Sequence, residues 1–268
     1  MKIAVCYFGN TGGKIGSFGA GGFIDPTYVL QKNDEIFKSE GLEVDYFVHS
    51  WSLEFEDKIK KLIEPKSFVF ENYNKKIIKP FESFGLLHFN SYVQNCLSAN
   101  TKNRMESLLV ASQYRWYSNS TSINLMSDFS KNNNQNYDWV VQTRLDLIFL
   151  KKLDLEKMDK QNFYVPVRKN DKENSLEDVF FISNYQNAVI FSEIFNERTN
   201  YSFLPPYALK KFLIEKKIKF LELKELNVDY DLIRNIKIDI ITKIKIKFVK
   251  AIDKLIHLLN FLKKKIIL

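Results

Sequence analysis

The chain has 268 residues, of which 45% are hydrophobic and 15% aromatic, and its formal net charge is +8. This composition supports a packed core and excludes a disordered chain. Two cysteines are too few for a disulfide framework or a cysteine-rich zinc scaffold. The length allows one large domain, or one domain with a small appendage. No stretch reaches the roughly 18 uncharged apolar residues that a transmembrane helix requires.

The positive charge is concentrated near the end of the sequence. Residues 237–265 contain nine lysines and two aspartates, a net +7, so the preceding part of the chain is close to neutral. A nucleic-acid-binding domain normally carries its basic residues over the folded body. The distribution therefore argues against a nucleic acid partner.

The hydrophobic pattern alternates between strand and helix periodicities. In chain order it predicts a strand at 2–8, a helix at 26–40 ending at Gly41, strands at 43–51 and 67–73, a long helix at 102–130 with a candidate break near 118–122, a strand at 137–150, strands at 162–168 and 178–183, helices at 185–196 and 205–217, and a strand at 218–228. This alternation predicts a three-layer α/β domain of roughly 230 residues. The first apolar run has no small-residue cleavage site after it, so we expect a strand and a cytoplasmic protein.

A glycine-rich segment directly follows the first predicted strand. Seven of the nine glycines lie between Gly9 and Gly22, and the spacing matches neither the Walker phosphate loop nor the dinucleotide fingerprint. Open α/β sheets bind ligands at the carboxyl ends of their strands, where glycine allows a close approach of the backbone. The segment is therefore either a surface loop or a phosphate-binding loop. Its candidate ligand contacts are Phe8, Gly9, Asn10, Thr11, Gly12, Gly13 and Lys14.

Arg144 and Asp146 stand at the end of the most apolar predicted strand. Alternate side chains of a strand share a face, so the two are expected to point the same way. Charged side chains are rarely buried without partners. They form either a structural salt bridge or a site in which a cation binds a diphosphate and a carboxylate binds a metal or a ribose hydroxyl.

Three segments resemble glycosyltransferases of the GT-A type from bacterial capsule and lipopolysaccharide gene clusters. They are residues 137–147 (YDWVVQTRLDL), 45–51 (DYFVHSW) and 177–183 (EDVFFIS), and their order and approximate spacing also agree. The resemblance covers about residues 1–215. It implies a GT-A-like, Rossmann-like mixed central sheet flanked by helices.

The resemblance also implies roles for individual residues. Asp146 takes the place of the family's DxD carboxylate, which holds a divalent cation (Mg²⁺ or Mn²⁺) and the nucleotide-sugar donor, and Arg144 lies beside it. The sequence reads Arg-Leu-Asp rather than Asp-x-Asp, so one carboxylate is present and Arg144 is a candidate to replace part of the cation's charge.

Asp178, with Glu177, is the second acidic candidate. The pair is either a solvated part of a charged stretch or a catalytic group near the acceptor hydroxyl, acting as a general base or an orienting group. His49 ends the second predicted strand, and it is either a donor contact or a structural histidine.

The segment after residue 230 forms a separate unit in this interpretation. Its apolar residues recur at helical spacing beside a lysine face, as in Ile244, Phe248, Ile252, Leu255, Leu259, Leu262 and Ile266. A basic amphipathic helix of this kind binds anionic membrane surfaces. The alternatives are a helix packed on the domain and a coiled-coil partner.

Together these features predict a catalytic domain at 1–230 and a membrane-surface tail at 231–268. The predicted protein is a cytoplasmic enzyme, peripheral at the inner membrane, that moves a sugar from a nucleotide-sugar donor to a hydroxyl of a lipid-linked or surface glycan. The alternatives are a phosphoryl or sugar-phosphate transferase acting on the same glycan and a non-catalytic membrane-associated scaffold.

Overall fold

The computed structural model describes residues 1–12, 22–38, 41–80, 83–84, 99–166, 175–223 and 230–233, with the backbone alone for residues 99–105. Within these residues the chain forms nine strands and five α-helices. The strands are β1 (Lys2–Gly9), β2 (Glu43–Ser50), β3 (Ser67–Phe70), β4 (Trp139–Arg144), β5 (Leu147–Phe149), β6 (Phe163–Val165), β7 (Phe180–Ser183), β8 (Phe220–Glu222) and β9 (Tyr230–Leu232). The helices are α1 (Thr27–Lys38), α2 (Glu56–Ile63), α3 (Ala99–Asn132), α4 (Tyr185–Phe191) and α5 (Pro205–Glu215).

Seven of the described strands form one sheet, in the order β3-β2-β1-β4-β7-β6-β8. The first four strands run parallel, whereas β7 is antiparallel to both of its neighbours. β2 and β3 lie on one side of β1, and β4 lies on its other side. The predicted α/β class with a mixed central sheet is therefore confirmed.

The sheet is covered on both faces. Ile3, Val5 and Tyr7 belong to an apolar cluster that includes residues of α1 and α2. Ala4 and Cys6, the alternate residues of the same strand, belong to a second cluster with residues of α3, α4 and α5. Because successive side chains of a strand point to opposite faces, β1 contributes to both cores. Helices therefore flank the sheet, as the alternating pattern predicts.

The boundaries of α1 follow from short-range chemistry. The carboxylate of Asp25 accepts hydrogen bonds from the backbone N–H and the hydroxyl of Thr27, at 2.9 and 2.6 Å. At the other end, Gly41 adopts a φ of +67° and its N–H donates to the Lys38 carbonyl. Glycine tolerates this left-handed conformation and commonly follows a helix end. The predicted stop at Gly41 is confirmed.

The long helix α3 is continuous through the serine-rich stretch at 118–122. Two polar side chains of this stretch bond to the sheet, which removes their competition with the helical backbone. Ser118 contacts His49, and the amide of Asn119 donates to Gln142 at 3.3 Å. The predicted candidate break is therefore absent.

The largest departure from the predicted elements concerns residues 137–150. They form two strands, because β4 ends at Arg144 and the chain turns through Leu145 and Asp146 before β5 begins. β5 then leaves the main sheet and pairs with β9 in a separate two-stranded sheet. β9 crosses the predicted boundary at residue 230, so the folded part reaches at least Ile233. The division into two domains stays a prediction.

From residue 234 onward, the predicted basic tail lies outside the described residues. No helix within the described ranges is both long and apolar enough to span a bilayer.

Candidate functional site

A cavity of about 740 Å³ opens where β1 and β4 end. These strands are parallel neighbours in the sheet, and Phe8 of β1 is paired with Arg144 of β4. The order of the strands reverses at this point, since the chain passes from β1 to β2 on one side and reaches β4 on the other. Ligands of open α/β sheets bind at such a switch point, outside the carboxyl ends of the strands. Position alone therefore makes this cavity the candidate site.

Arg144 and Asp146 line the cavity as a bidentate ion pair. Arg144 Nε donates to Asp146 Oδ1 and Nη2 to Oδ2, both at 2.6 Å. The residue Asp146 is only 2% exposed. Burial alone would lower the pKa of Arg144, but the Asp146 carboxylate outweighs it and raises that pKa. The sequence correctly predicts that the two side chains meet. However, they meet across a turn and not along one strand.

Arg115, on α3, also lines the cavity and was not predicted. Its Nη1 lies 3.1 Å from Asp178 Oδ2. Its Nε and Nη2 are buried and have no hydrogen-bond partner in the described part of the chain. Burial lowers the pKa of Arg115 to about 10. The attraction of Asp178 offsets only part of this effect, and the positive charge of Arg144 lowers the pKa further. The signal in the sequence was that Arg115 is the only charged residue between Glu106 and Asp128.

Aromatic side chains form another part of the cavity wall. The rings of Trp51 and Tyr73 stack with centroids 5.0 Å apart and an angle of 18°. Tyr114 meets both rings edge-on, at 5.2 and 4.7 Å. Asn10 Nδ2 donates to the Tyr73 hydroxyl at 2.6 Å. The wall therefore offers flat apolar surface with a few polar groups, which suits a planar ring or the apolar face of a sugar.

The residues predicted to bind the donor along the glycine-rich segment take different positions. Phe8, Gly9, Asn10 and Gly12 line the cavity. Thr11 is 1% exposed, and its N–H donates to Ser52 Oγ, so its side chain is part of the interior. Gly13 and Lys14 lie outside the described residues. The described part of the segment up to Gly12 is therefore partly a cavity wall and partly packing.

Gly12 is held by its neighbours more tightly than a simple surface loop would require. Its φ is +94°, and an added Cβ would lie 2.5 Å from the Ile233 carbonyl oxygen and 3.1 Å from Ile24 Cδ1. Ile233 N–H in turn donates to the Asp146 carbonyl at 2.8 Å. The end of β9 therefore connects the loop to the turn that carries Asp146.

His49 is completely buried behind Trp51. Its Nδ1 lies 2.6 Å from Ser118 Oγ and its Nε2 lies 2.9 Å from Glu71 Oε1. Burial lowers the pKa of His49, although Glu71 opposes the shift. The predicted direct contact with a donor does not fit this position, because both ring nitrogens already have protein partners. The alternative of a structural histidine fits.

Asp178 and Glu177 lie just before β7. Asp178 is held by Arg115 and is not part of the described cavity wall. Glu177 adds an attraction to both Arg115 and Arg144. Their observed contacts position arginines, and a catalytic role for either carboxylate stays a prediction.

The fold and cavity define an α/β protein with a cavity at the switch point of a mixed sheet. No family model matches the sequence, and neither does any curated protein. Among solved structures, the chain is similar to the crystal structure of a glycosyltransferase involved in the glycosylation of the major capsid of PBCV-1. The two share 9% identity and a TM-score of 0.37, over 82% of this chain and 80% of the other. The proposals below rest on the geometry of the site.

Proposed function

We propose that this chain is a GT-A-like glycosyltransferase that uses a nucleotide-sugar donor. The observation that carries the proposal is one cavity that combines an aromatic wall with two arginines, which stand beside the lining carboxylates Asp146 and Glu106. Trp51, Tyr73 and Tyr114 offer stacking surface, and Arg115 and Arg144 offer positive charge. A nucleotide sugar needs both surfaces, because its base and sugar rings are flat or apolar and its phosphates are anionic.

The reaction would proceed by displacement at the donor sugar. The oxygen of an acceptor hydroxyl bonds to the anomeric carbon while the bond from that carbon to the phosphate oxygen breaks. The electron pair stays on the leaving phosphate, and the hydroxyl proton passes to a base. Positive charge beside the leaving group stabilises the negative charge that develops there. Asp178 and Glu177 remain the predicted candidates for the base, and the acceptor is proposed to be a lipid-linked or surface glycan.

The proposal is tested in two measurements. A thermal-shift screen of nucleotide sugars identifies the donor, because a ligand stabilises the folded state as its concentration exceeds the dissociation constant. Release of free nucleotide in the presence of an acceptor then measures transfer. Release of inorganic phosphate, or transfer of a sugar phosphate, would favour the alternative phosphoryl chemistry. Failure to bind any nucleotide sugar would favour the non-catalytic scaffold.

Replacing Tyr73 tests the aromatic wall separately. Tyr73→Ala is expected to weaken donor binding roughly 5- to 150-fold, since stacking on an aromatic side chain contributes about 1–3 kcal/mol per base. Phe68→Ala is the matched control, because both residues are 39% exposed but Phe68 does not line the cavity. Calorimetry on both variants gives the comparison. Equal affinities in the two variants would contradict the role of the aromatic wall.

A further inference from the structure

The resemblance to DxD enzymes implies a divalent cation on Asp146, and the residues present do not fit one. Both carboxylate oxygens of Asp146 accept hydrogen bonds from Arg144. A cation at this position would find one carboxylate, which is already paired with Arg144 and almost fully buried. Within the ranges that the structure describes, no group of three or more His, Cys, Asp and Glu side chains could hold a metal ion.

Arg115 supplies positive charge and unpartnered hydrogen-bond donors at the cavity. A buried guanidinium nitrogen without a partner costs free energy, and such a group calls for an explanation. Arg115 has two of them, Nε and Nη2, in a side chain that lines the cavity. Its third nitrogen, Nη1, contacts Asp178, and its guanidinium carbon lies 5.5 Å from the rings of Phe8 and Trp116. These contacts fix the guanidinium and leave two donors unused within the described residues.

The pKa values of the two arginines are shifted in opposite directions. Arg144 donates to Asp146 through two of its three guanidinium nitrogens, and the attraction of Asp146 raises the pKa of Arg144 despite burial. Burial prevails at Arg115 and lowers its pKa, even though Asp178, Glu177 and Asp146 all attract it. Its charged form is thus the less compensated of the two.

We infer that the diphosphate of the donor is held by the guanidinium groups of Arg115 and Arg144 in place of a divalent cation. Arg115 is the principal contact, through its unused donors. Arg144, held by Asp146, adds positive charge at the end of β4. Asp178 positions Arg115. This inference rests on the proposed function, because it concerns how the same donor is bound.

Calorimetry on the full-length protein tests the inference. The probes are the diphosphates of uridine, guanosine, cytidine, adenosine and thymidine, each with its phosphate-free nucleoside. The diphosphate that binds is expected to bind with the same affinity, within about twofold, in excess EDTA and in millimolar Mn²⁺. Arg115→Gln should weaken its binding about 10- to 150-fold, as for the loss of charge-assisted hydrogen bonds, and leave nucleoside binding unchanged.

Two further variants keep the result interpretable. Arg115→Lys retains the positive charge but loses the planar fork, so it should bind the diphosphate with intermediate affinity. Lys58→Gln, which removes an exposed lysine paired with Asp25, should bind like the natural protein. A melting curve of each variant reports whether it is folded, and Arg115→Lys serves as the test if Arg115→Gln is not.

The outcomes separate the two proposals. Binding that EDTA abolishes and Mn²⁺ restores would overturn the inference and leave the proposed function standing. Unchanged diphosphate affinity in both Arg115 variants would overturn it as well. If neither nucleotides nor nucleosides bind, the proposed function fails, and the inference fails with it.

Discussion

At the scale of single residues, His49 does not line the cavity but is connected to it by hydrogen bonds through Ser118. Its neutral ring satisfies both partners when Nε2–H donates to Glu71 and Nδ1 accepts from Ser118. The Ser118 oxygen also accepts from the Gly9 N–H at 2.7 Å, at the point where β1 ends beside the cavity. His49 therefore acts through Ser118 on the position of Gly9, and Glu71 faces it from the end of β3.

This arrangement predicts a dependence of stability on pH. Because burial lowers the pKa of His49 below its ordinary value of 6.5, the unfolded chain binds a proton more readily than the folded one. The free energy of unfolding should therefore decrease as pH falls below 6.5, at no more than about 1.4 kcal/mol per pH unit from this group. Urea unfolding from pH 7.5 to 5 measures the slope. His49→Gln should remove this part of it, and parallel slopes in the two proteins would contradict the prediction.

The sequence predicts some of the charged residues of the site and not others. Arg144 and Asp146 were predicted together because a paired charge on an apolar strand needs a partner nearby, and they do form a pair. Arg115 was missed because it lies 29 positions earlier on a helix, and only the packing of α3 against the sheet brings it to β4. A lone charge in an uncharged helical stretch was the available signal. His49 was predicted as a donor contact, with a structural histidine as the alternative, and its burial depends on α3 and cannot be read from β2 alone.

At the scale of elements, α3 organises the site. Within five residues it supplies Tyr114 to the aromatic wall, Arg115 to the same cavity and Ser118 to His49. Its helical period was evident from the sequence, and so was the strand character of β1 and β4. The division of residues 137–150 into β4 and β5 was not, because both halves are apolar and the turn contains neither glycine nor proline. β9 was also missed, since a three-residue strand exists only through its pairing with β5.

The contact between β9 and the glycine-rich segment predicts an effect of substitution at Gly12. The contacts of Gly12 make a loss of stability the expected result of a larger side chain at this position. Gly12→Ala meets the Ile233 carbonyl in addition to the strain of a positive φ, which by itself costs about 1–3 kcal/mol. We expect the melting temperature to fall by more than about 5 °C.

Gly41→Ala is the matched control for Gly12→Ala. Gly41 also has a positive φ, +67°, but nothing lies within 4 Å of its added Cβ. It therefore carries the backbone strain without the clash. Thermal unfolding of both variants separates the two contributions. A smaller loss in Gly12→Ala than in Gly41→Ala would show that the end of β9 moves away from the loop at little cost.

At the scale of the whole molecule, the three-layer architecture could be predicted because β1 is apolar at every position from Ile3 to Phe8, which requires cover on both faces. The order of the strands could not, because it depends on which parallel neighbours each strand selects after long connections. The position of the candidate site depends on that order, because the cavity lies where β1 and β4 end side by side. The uneven charge is a property of the same scale. A nearly neutral body carries a terminal segment of about +7, and the two parts invite separate tests.

The last prediction concerns that segment. Removing residues 237–268 should leave a folded domain that binds donor, because the described strands and the lining residues of the cavity all precede this segment, but should abolish binding to anionic vesicles. Each lysine near an anionic surface contributes about 1 kcal/mol, and the apolar face of an amphipathic helix adds burial. Sedimentation with phosphatidylserine vesicles at low salt measures binding, with phosphatidylcholine vesicles as the uncharged control.

Replacing Lys243, Lys247, Lys250 and Lys254 with glutamine should weaken binding by as much as roughly a thousandfold without changing the melting temperature. A full-length protein that stays in the supernatant refutes the membrane proposal. A truncated protein that unfolds would instead make the segment part of the core, with its lysines as a solvated face.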